Sequence, residues 1–203
     1  MPRKSRGILF EGIYHVTSRG NNQSSIFLDD TDKIKFLDMV AGYKRKFAFR
    51  LFSYALLTNH FHLLISLGYP SDSQVPLSKI MGCLLTSYST YFNRRHNRSG
   101  HVFQGRYGSR RVENDAYLLQ VIRYIHLNPV MAGLCEQLED WRFSSHRCYL
   151  GFEDDPLVDK EEMLFLFAKR PTVQIKRYEN FIHDGLKLLE AMKISFEEKF
   201  GLD

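Results

Sequence analysis

The run Asn59-His60-Phe61-His62-Leu63-Leu64-Ile65-Ser66-Leu67 constrains this chain more than any other stretch. Alternate side chains of a β-strand go to opposite faces. Phe61, Leu63, Ile65 and Leu67 then make an unbroken apolar face for a core, while His60, His62, Leu64 and Ser66 share the other. Histidines at i and i+2 of a strand sit roughly 6.5–7 Å apart at Cα. Both rings can therefore converge on one divalent cation. The pair alone also fits two ordinary half-buried polar residues beside a hairpin end, so the pattern calls for a strand and leaves the metal open.

The rest of the chain supplies partners for that strand. Ile13–Thr17 is β-prone and runs into the turn formers Ser18-Arg19-Gly20-Asn21-Asn22. Asp29-Asp30 precedes Ile34, Leu37, Val40 and Ala41 at helical spacing, a helix with acidic residues at its start. Phe49–Leu57 and His60–Leu67, joined by Thr58-Asn59, form an antiparallel hairpin. Tyr69-Pro70-Ser71-Asp72-Ser73 breaks the pattern, and Ile80, Leu84, Tyr88 and Tyr91 mark a helix over Leu77–Phe92. Phe103–Val112 predicts a strand, and a helix follows from Asn114 or Asp115 to about Leu127, where Pro129 stops it. Two amphipathic stretches, Glu161–Lys169 and Val173–Phe200, complete the chain after Glu153-Asp154-Asp155-Pro156.

These elements predict an α+β fold: a ferredoxin-like, RRM-like antiparallel sheet with helices packed on one face, plus C-terminal helices. Residues 1–150 form the principal domain and 151–203 a C-terminal helical extension, with bracing of the core its default role. The other sheet face, left open with His60 and His62 on it, is a platform suited to single-stranded nucleic acid. The net charge of +5 and a pI near 9.1 favour a polyanionic partner without requiring one. Cys83, Cys135 and Cys148 are scattered, so neither a disulfide framework nor a cysteine zinc site is expected and a reducing cytoplasm is. The basic start, Met1-Pro2-Arg3-Lys4-Ser5-Arg6, leads into no long apolar segment, and no membrane partner is expected.

The other unusual stretch is Tyr124-Ile125-His126-Leu127-Asn128-Pro129-Val130. Tyr124 and Asn128 are i and i+4, so a helix puts them on one face. Alone, they fit equally a core aromatic with a wet hydroxyl and a helix-ending residue before proline.

Taken with Asn59-His60-Phe61-His62, this stretch resembles the HUH-type tyrosine transposases that act on single-stranded DNA, and within them the REP-associated tyrosine transposases. Further segments agree: Tyr14-His15-Val16-Thr17-Ser18-Arg19-Gly20-Asn21, Phe103-Gln104-Gly105-Arg106-Tyr107 and Trp141-Arg142-Phe143-Ser144-Ser145. The likeness spans roughly residues 7–150, and several separated motifs in order are far more specific than one.

The resemblance implies a site and a mechanism. A divalent cation, Mg²⁺ or Mn²⁺, is held by His60, His62 and Asn128, where relatives often carry the longer Gln. Tyr124 is the nucleophile, giving a 5′-phosphotyrosine and a free 3′-hydroxyl. No ATP is needed, in keeping with the absence of a G-x-x-x-x-G-K-[ST] loop. The substrate is single-stranded or hairpin DNA with a short unpaired foot. The assembly is a monomer or a homodimer, and the setting is a bacterial cytoplasm, beside the nucleoid. Basic and polar candidates for DNA contact are Arg19, Asn21, Arg94, Arg95, Gln104, Arg106, Arg110 and Arg111, led by Arg19 and Arg106. Two alternatives stand beside this reading. One is a hairpin-binding protein of the same fold without catalysis; the other is a metal-dependent hydrolase in which Tyr124 is dispensable.

Overall fold

In the computed structural model, residues 9–68 and 75–192 are described. Strands β1 (Gly12–Arg19), β2 (Arg50–Leu56), β3 (His60–Leu67) and β4 (Gly108–Val112) form one sheet in the order β2-β3-β1-β4. All neighbours are antiparallel. Helix α1 (Asp30–Phe47) connects β1 to β2, and α2 (Leu77–Arg95) connects β3 to β4. This is the expected α+β, split-βαβ arrangement.

Local chemistry explains the helix that follows β1. Asp29 caps α1 by accepting from the Asp32 amide at 3.1 Å. Acidic Asp30 and Asp32 in its first turn and basic Lys44, Arg45 and Lys46 in its last complement the helix dipole. Phe36 of α1 meets Phe61 of β3 at 4.7 Å between ring centroids and Tyr88 of α2 at 5.2 Å. The apolar face of β3 is thus sealed by α1 and α2.

The opposite face is not open. Helix α3 (Asp115–Met131) lies across β2 and β3 on the histidine side. Its sequence explains why. Leu118, Val121, Ile122, Ile125 and Leu127 are buried right around the helix, and a helix apolar on all sides must be covered on all sides. The expectation of helices on one face alone is corrected accordingly.

Two predicted boundaries shift by four residues or more. Strand β4 starts at Gly108, because Gly105 takes a left-handed φ of 70° and only Phe103 forms an isolated bridge, to Gly20. Helix α3 runs through Pro129 to Met131. A proline near the last turn forfeits only its own amide bond, and the end is closed by Ala132 N–H donating to the Asn128 carbonyl at 2.9 Å.

After α3 the chain returns along β2. Leu56 N–H donates to the Phe143 carbonyl at 2.9 Å, and Ser145 N–H to the Tyr54 carbonyl at 3.0 Å. This covers an otherwise open sheet edge. Helices α4 (His146–Tyr149), α5 (Glu161–Phe167) and α6 (Pro171–Met192) follow, and α6 packs on the outer side of α3. The basic start, the break at Tyr69–Ser73 and the end of the last predicted helix lie outside the described residues.

Candidate active site

Strand register assembles the site from three strands. Directly opposed residues of an antiparallel pair share a face. His60 stands opposite Arg19, His62 opposite Thr17, and Arg110 opposite His15. One face therefore carries His60, His62, His15, Arg19 and Arg110. Helix α3 lowers Tyr124 onto it: the phenol ring meets His62 edge-on at 5.2 Å between centroids and His15 at 5.9 Å. Asn114 caps that helix by accepting from Tyr117 N–H, and Asn128, one turn beyond Tyr124, is buried against the same face.

The histidines are held in defined orientations. His60 Nδ1 lies 2.7 Å from Asn59 Oδ1. An amide oxygen only accepts, so Nδ1 carries the proton and Nε2 keeps its lone pair. His62 Nδ1 pairs with His15 Nε2 at 3.0 Å, and the two rings stack at 5.2 Å. His62 Nε2 is buried and makes no hydrogen bond. The Asn128 amide lies near enough to both rings to favour their charged forms, but it does not reach hydrogen-bonding geometry with that nitrogen.

Burial sets the protonation state. It drives His60 down to about 4, opposed by Asn128 and assisted by the Arg19 guanidinium. Burial, then His60 and His15, holds His62 well below the ordinary imidazole range. His15 falls to about 3, through burial and then Arg110. At neutral pH all three rings are neutral and able to present lone pairs. Among the described residues no group of three or more His, Cys, Asp or Glu forms a metal cluster. The third donor expected here is an asparagine, which lies outside that set.

The predicted DNA contacts divide. Arg19 and Arg110 flank the histidines on their own face. Asn21 and Gln104 are brought beside Arg19: Asn21 N–H donates to the Val102 carbonyl and Gln104 N–H to that of Arg19, each at 2.8 Å. Arg106 is exposed in the adjoining loop. Arg110 also lies 5.2 Å over the Tyr117 ring. Arg111 stands opposite Tyr14, on the far face of the sheet. Arg94 is exposed on the last turn of α2, which covers that same far face. Arg95 is ion-paired within the chain, with Nη2 2.6 Å from Asp29 and Nη1 2.5 Å from the fully buried Asp32.

Sequence reasoning missed His15 and Asn59 as members of the site. A lone histidine in a β-prone run gives little signal, although the alternation His15, Thr17, Arg19 marks the face it shares.

Comparison with known proteins decides the family. The profile described as "Transposase IS200 like" matches residues 9–128, more than half of the chain. This chain belongs to the IS200-like transposase family. It is thereby a transposase, an enzyme that cuts and joins DNA strands. A Haemophilus influenzae protein provisionally named a REP-associated tyrosine transposase is 26% identical over 153 residues, covering 67% of this chain and 81% of that protein. The structure of a REP-associated tyrosine transposase bound to a REP hairpin superposes with a TM-score of 0.57 at 21% identity, covering 77% of this chain and 90% of that one. A crystal structure of a provisionally named transposase from Deinococcus radiodurans gives a TM-score of 0.40 at 16% identity, covering 61% and 95%. The Haemophilus influenzae protein and the hairpin-bound structure carry the subgroup name that the sequence motifs resemble.

Proposed function

We propose that this IS200-like transposase cuts and rejoins single-stranded or hairpin DNA through a covalent bond to Tyr124, with His60, His62 and Asn128 holding a divalent cation. The observation that carries the reading is the Tyr124 ring set edge-on to His62 at 5.2 Å within one chain. A nucleophile and the proposed cation ligands therefore need no second protomer to meet. The hairpin substrate is supported by the bound REP hairpin in the structural neighbour.

The donor set fits such a cation. Two neutral imidazoles offer Nε2 lone pairs, one of them buried without a partner, and an amide oxygen suits a hard ion. Mg²⁺ or Mn²⁺ would polarise the scissile phosphate and offset charge on its oxygens. The chain's own residues do the rest. The Tyr124 phenol oxygen forms a bond to phosphorus, and the P–O3′ bond breaks in line, leaving a 5′-phosphotyrosine and a free 3′-hydroxyl. The incoming 3′-hydroxyl of another strand then reforms the phosphodiester and releases the phenol. Bond count is conserved, so no nucleotide cofactor is consumed. Arg19 and Arg110, which share the histidine face, are the cations that would offset charge on the reacting phosphate.

Tyr124 is only 2% exposed, and the alternative of a hairpin-binding protein without catalysis rests on that burial. One assay separates the readings. The protein is incubated with Mn²⁺ and end-labelled single-stranded hairpin DNA and resolved on a denaturing gel. A covalent adduct is expected from the native chain, and Tyr124→Phe is expected to abolish it while keeping hairpin affinity within about twofold, since a lost hydroxyl removes little binding energy. Binding without cleavage would leave the binding module, and cleavage without an adduct the hydrolase.

A further inference from the structure

Apolar packing alone would not fix where α3 rests. Hydrophobic contact is non-directional, so a helix with aliphatic residues on every side has its rotation and height only weakly specified by burial. Directional contacts lie on the side away from the sheet. At about 3.6 residues per turn, side chains two positions apart diverge by about 200°. Tyr124 faces the histidines, and His126 therefore faces α6. There it meets Tyr178, a residue of the C-terminal extension.

Both His126 and Tyr178 are 0% exposed. The Tyr149 ring packs against them at 5.0 and 4.9 Å between centroids, so water cannot take over their hydrogen bonds. Those bonds form a chain with one direction. A neutral imidazole has one donor nitrogen and one acceptor. His146 Nε2 stands 3.7 Å from Glu139 Oε1, and a carboxylate favours an N–H facing it over a lone pair. His146 Nδ1 is then the acceptor for the Tyr178 hydroxyl at 2.5 Å. The Tyr178 oxygen in turn accepts from His126 Nδ1–H at 2.8 Å. His126 Nε2 is left to accept from the Ser145 hydroxyl, also at 2.8 Å. The reverse order would aim a His146 lone pair at the carboxylate.

The far end of the chain is tied to the sheet. Ser145 N–H donates to the Tyr54 carbonyl and Ser145 Oγ accepts from Tyr54 N–H, each at 3.0 Å. The next residue of β2, Ala55, stands opposite His62. Directional bonds thus link the strands beside the proposed cation ligands to the helix that carries the proposed nucleophile. Turning or sliding α3 would strand His126 Nδ1 and the Tyr178 hydroxyl in a dry interior, which is costly.

We infer that Tyr178 is a positioning residue for strand cleavage: by holding His126 in one tautomer and one seat, it sets the rotation and height at which α3 presents Tyr124 to the scissile phosphate. The inference rests on the proposed strand-transfer reading. Tyr178 lies on the far side of α3 from the histidines and acts through that helix. The extension then does more than brace the core.

The test separates placing the nucleophile from bracing the fold. Tyr178→Phe keeps the ring and removes the hydroxyl alone. Single-turnover adduct formation is followed with saturating end-labelled hairpin DNA and Mn²⁺, at a temperature where circular dichroism shows the variant fully folded. The rate is expected to fall about 10- to 100-fold, the upper end being the scale of a misplacement of roughly 1 Å. The hairpin Kd is expected to stay within about twofold, since the interaction serves the transition state rather than binding. His126→Phe is expected to show the same fall, and the double variant no more, because one residue acts through the other. An unchanged rate in folded Tyr178→Phe, losses that add, or an affinity that falls in step with the rate each overturn the inference. The ring nitrogens of the native protein give a check that needs no variant. Nitrogen NMR is expected to find the His126 proton on Nδ1; a proton on Nε2 overturns the chain. A native protein that forms no adduct overturns the strand-transfer reading instead, while the ring-nitrogen spectrum still reports on the chain.

Discussion

At the residue scale, the pairing of His15 with His62 turns a coincidence of side chains into a site. A neutral imidazole has one protonated nitrogen, and the hydrogen bond at one side fixes which. His62 Nε2 is free to bind a cation only if Nδ1 carries the proton and donates to His15 Nε2, 3.0 Å away. Such supporting contacts typically alter metal affinity about 10–100-fold. His15→Ala is therefore expected to weaken Mn²⁺ binding by that factor in calorimetric titration, and His15→Gln, whose amide oxygen still accepts, to recover part of it. Equal affinity in the native and Ala proteins would reduce the pair to packing. His60 and His62 were legible in sequence because period-two alternation is local. His15 was not, since its partner lies 47 positions away and only strand register brings them together.

At the element scale, α3 is the part on which the site's precision depends, and it is held from both sides. The sheet grips one side. On the other, His126 hydrogen-bonds Ser145 Oγ through Nε2 and the Tyr178 hydroxyl of α6 through Nδ1, each at 2.8 Å. Tyr178 in turn meets His146 Nδ1 at 2.5 Å. A Cβ at Gly185 of α6 would collide with Arg123 of α3, so the two helices cross at a residue without a side chain. The sequence announced α3 as a helix but not the face it would cover, because a helix after the last strand can return to either side. Its all-round apolar pattern was the available clue. This clamp is sensitive to acid. His146 faces the Tyr178 hydroxyl, the Glu139 carboxylate at 3.7 Å, and more distantly His183 and Glu179. Burial drives it down to about 4, opposed by Glu139 and, more weakly, Glu179, and assisted by His183. A folded value below the unfolded 6.5 means that the unfolded chain takes up the proton first. The contribution is therefore complete above pH 6.5 and is lost as pH falls toward 4. Denaturant unfolding at pH 7 and pH 4.5 is expected to show the native protein losing about 1–3 kcal/mol more than His146→Gln over that interval. The same loss in both proteins would assign the acid sensitivity elsewhere.

At the scale of the whole molecule, the fold gives similar cations different surroundings, and composition alone could not foresee the division. Arg19, Arg106 and Arg110 fall on or beside the histidine face, whereas Arg95, next to Arg94 in the same basic run, is held at the surface by Asp29 and Asp32. Burial opposes ionisation of Asp32, but the Leu28 amide, His96 and Arg95 outweigh it and hold its carboxyl below the ordinary range. Arg95 thus ties the end of α2 to the start of α1. This division makes opposite forecasts for two arginines that look alike in sequence. Each phosphate contact releases condensed counterions, so the logarithm of the binding constant falls with the logarithm of salt concentration by about 0.7 per contact on single strands and about 0.9 on duplex. Arg106→Ala is expected to weaken hairpin binding and make that slope shallower by about 0.7–0.9, with an unchanged unfolding temperature. Arg95→Ala is expected to keep the slope and lower the unfolding temperature, because it strips a cation from the fully buried Asp32. Anisotropy titrations from about 50 to 200 mM salt, with melts of the same samples, read both quantities. A shallower slope for Arg95→Ala would show that the ion pair opens to bind DNA. An unaltered slope for Arg106→Ala would remove that loop from the nucleic-acid surface.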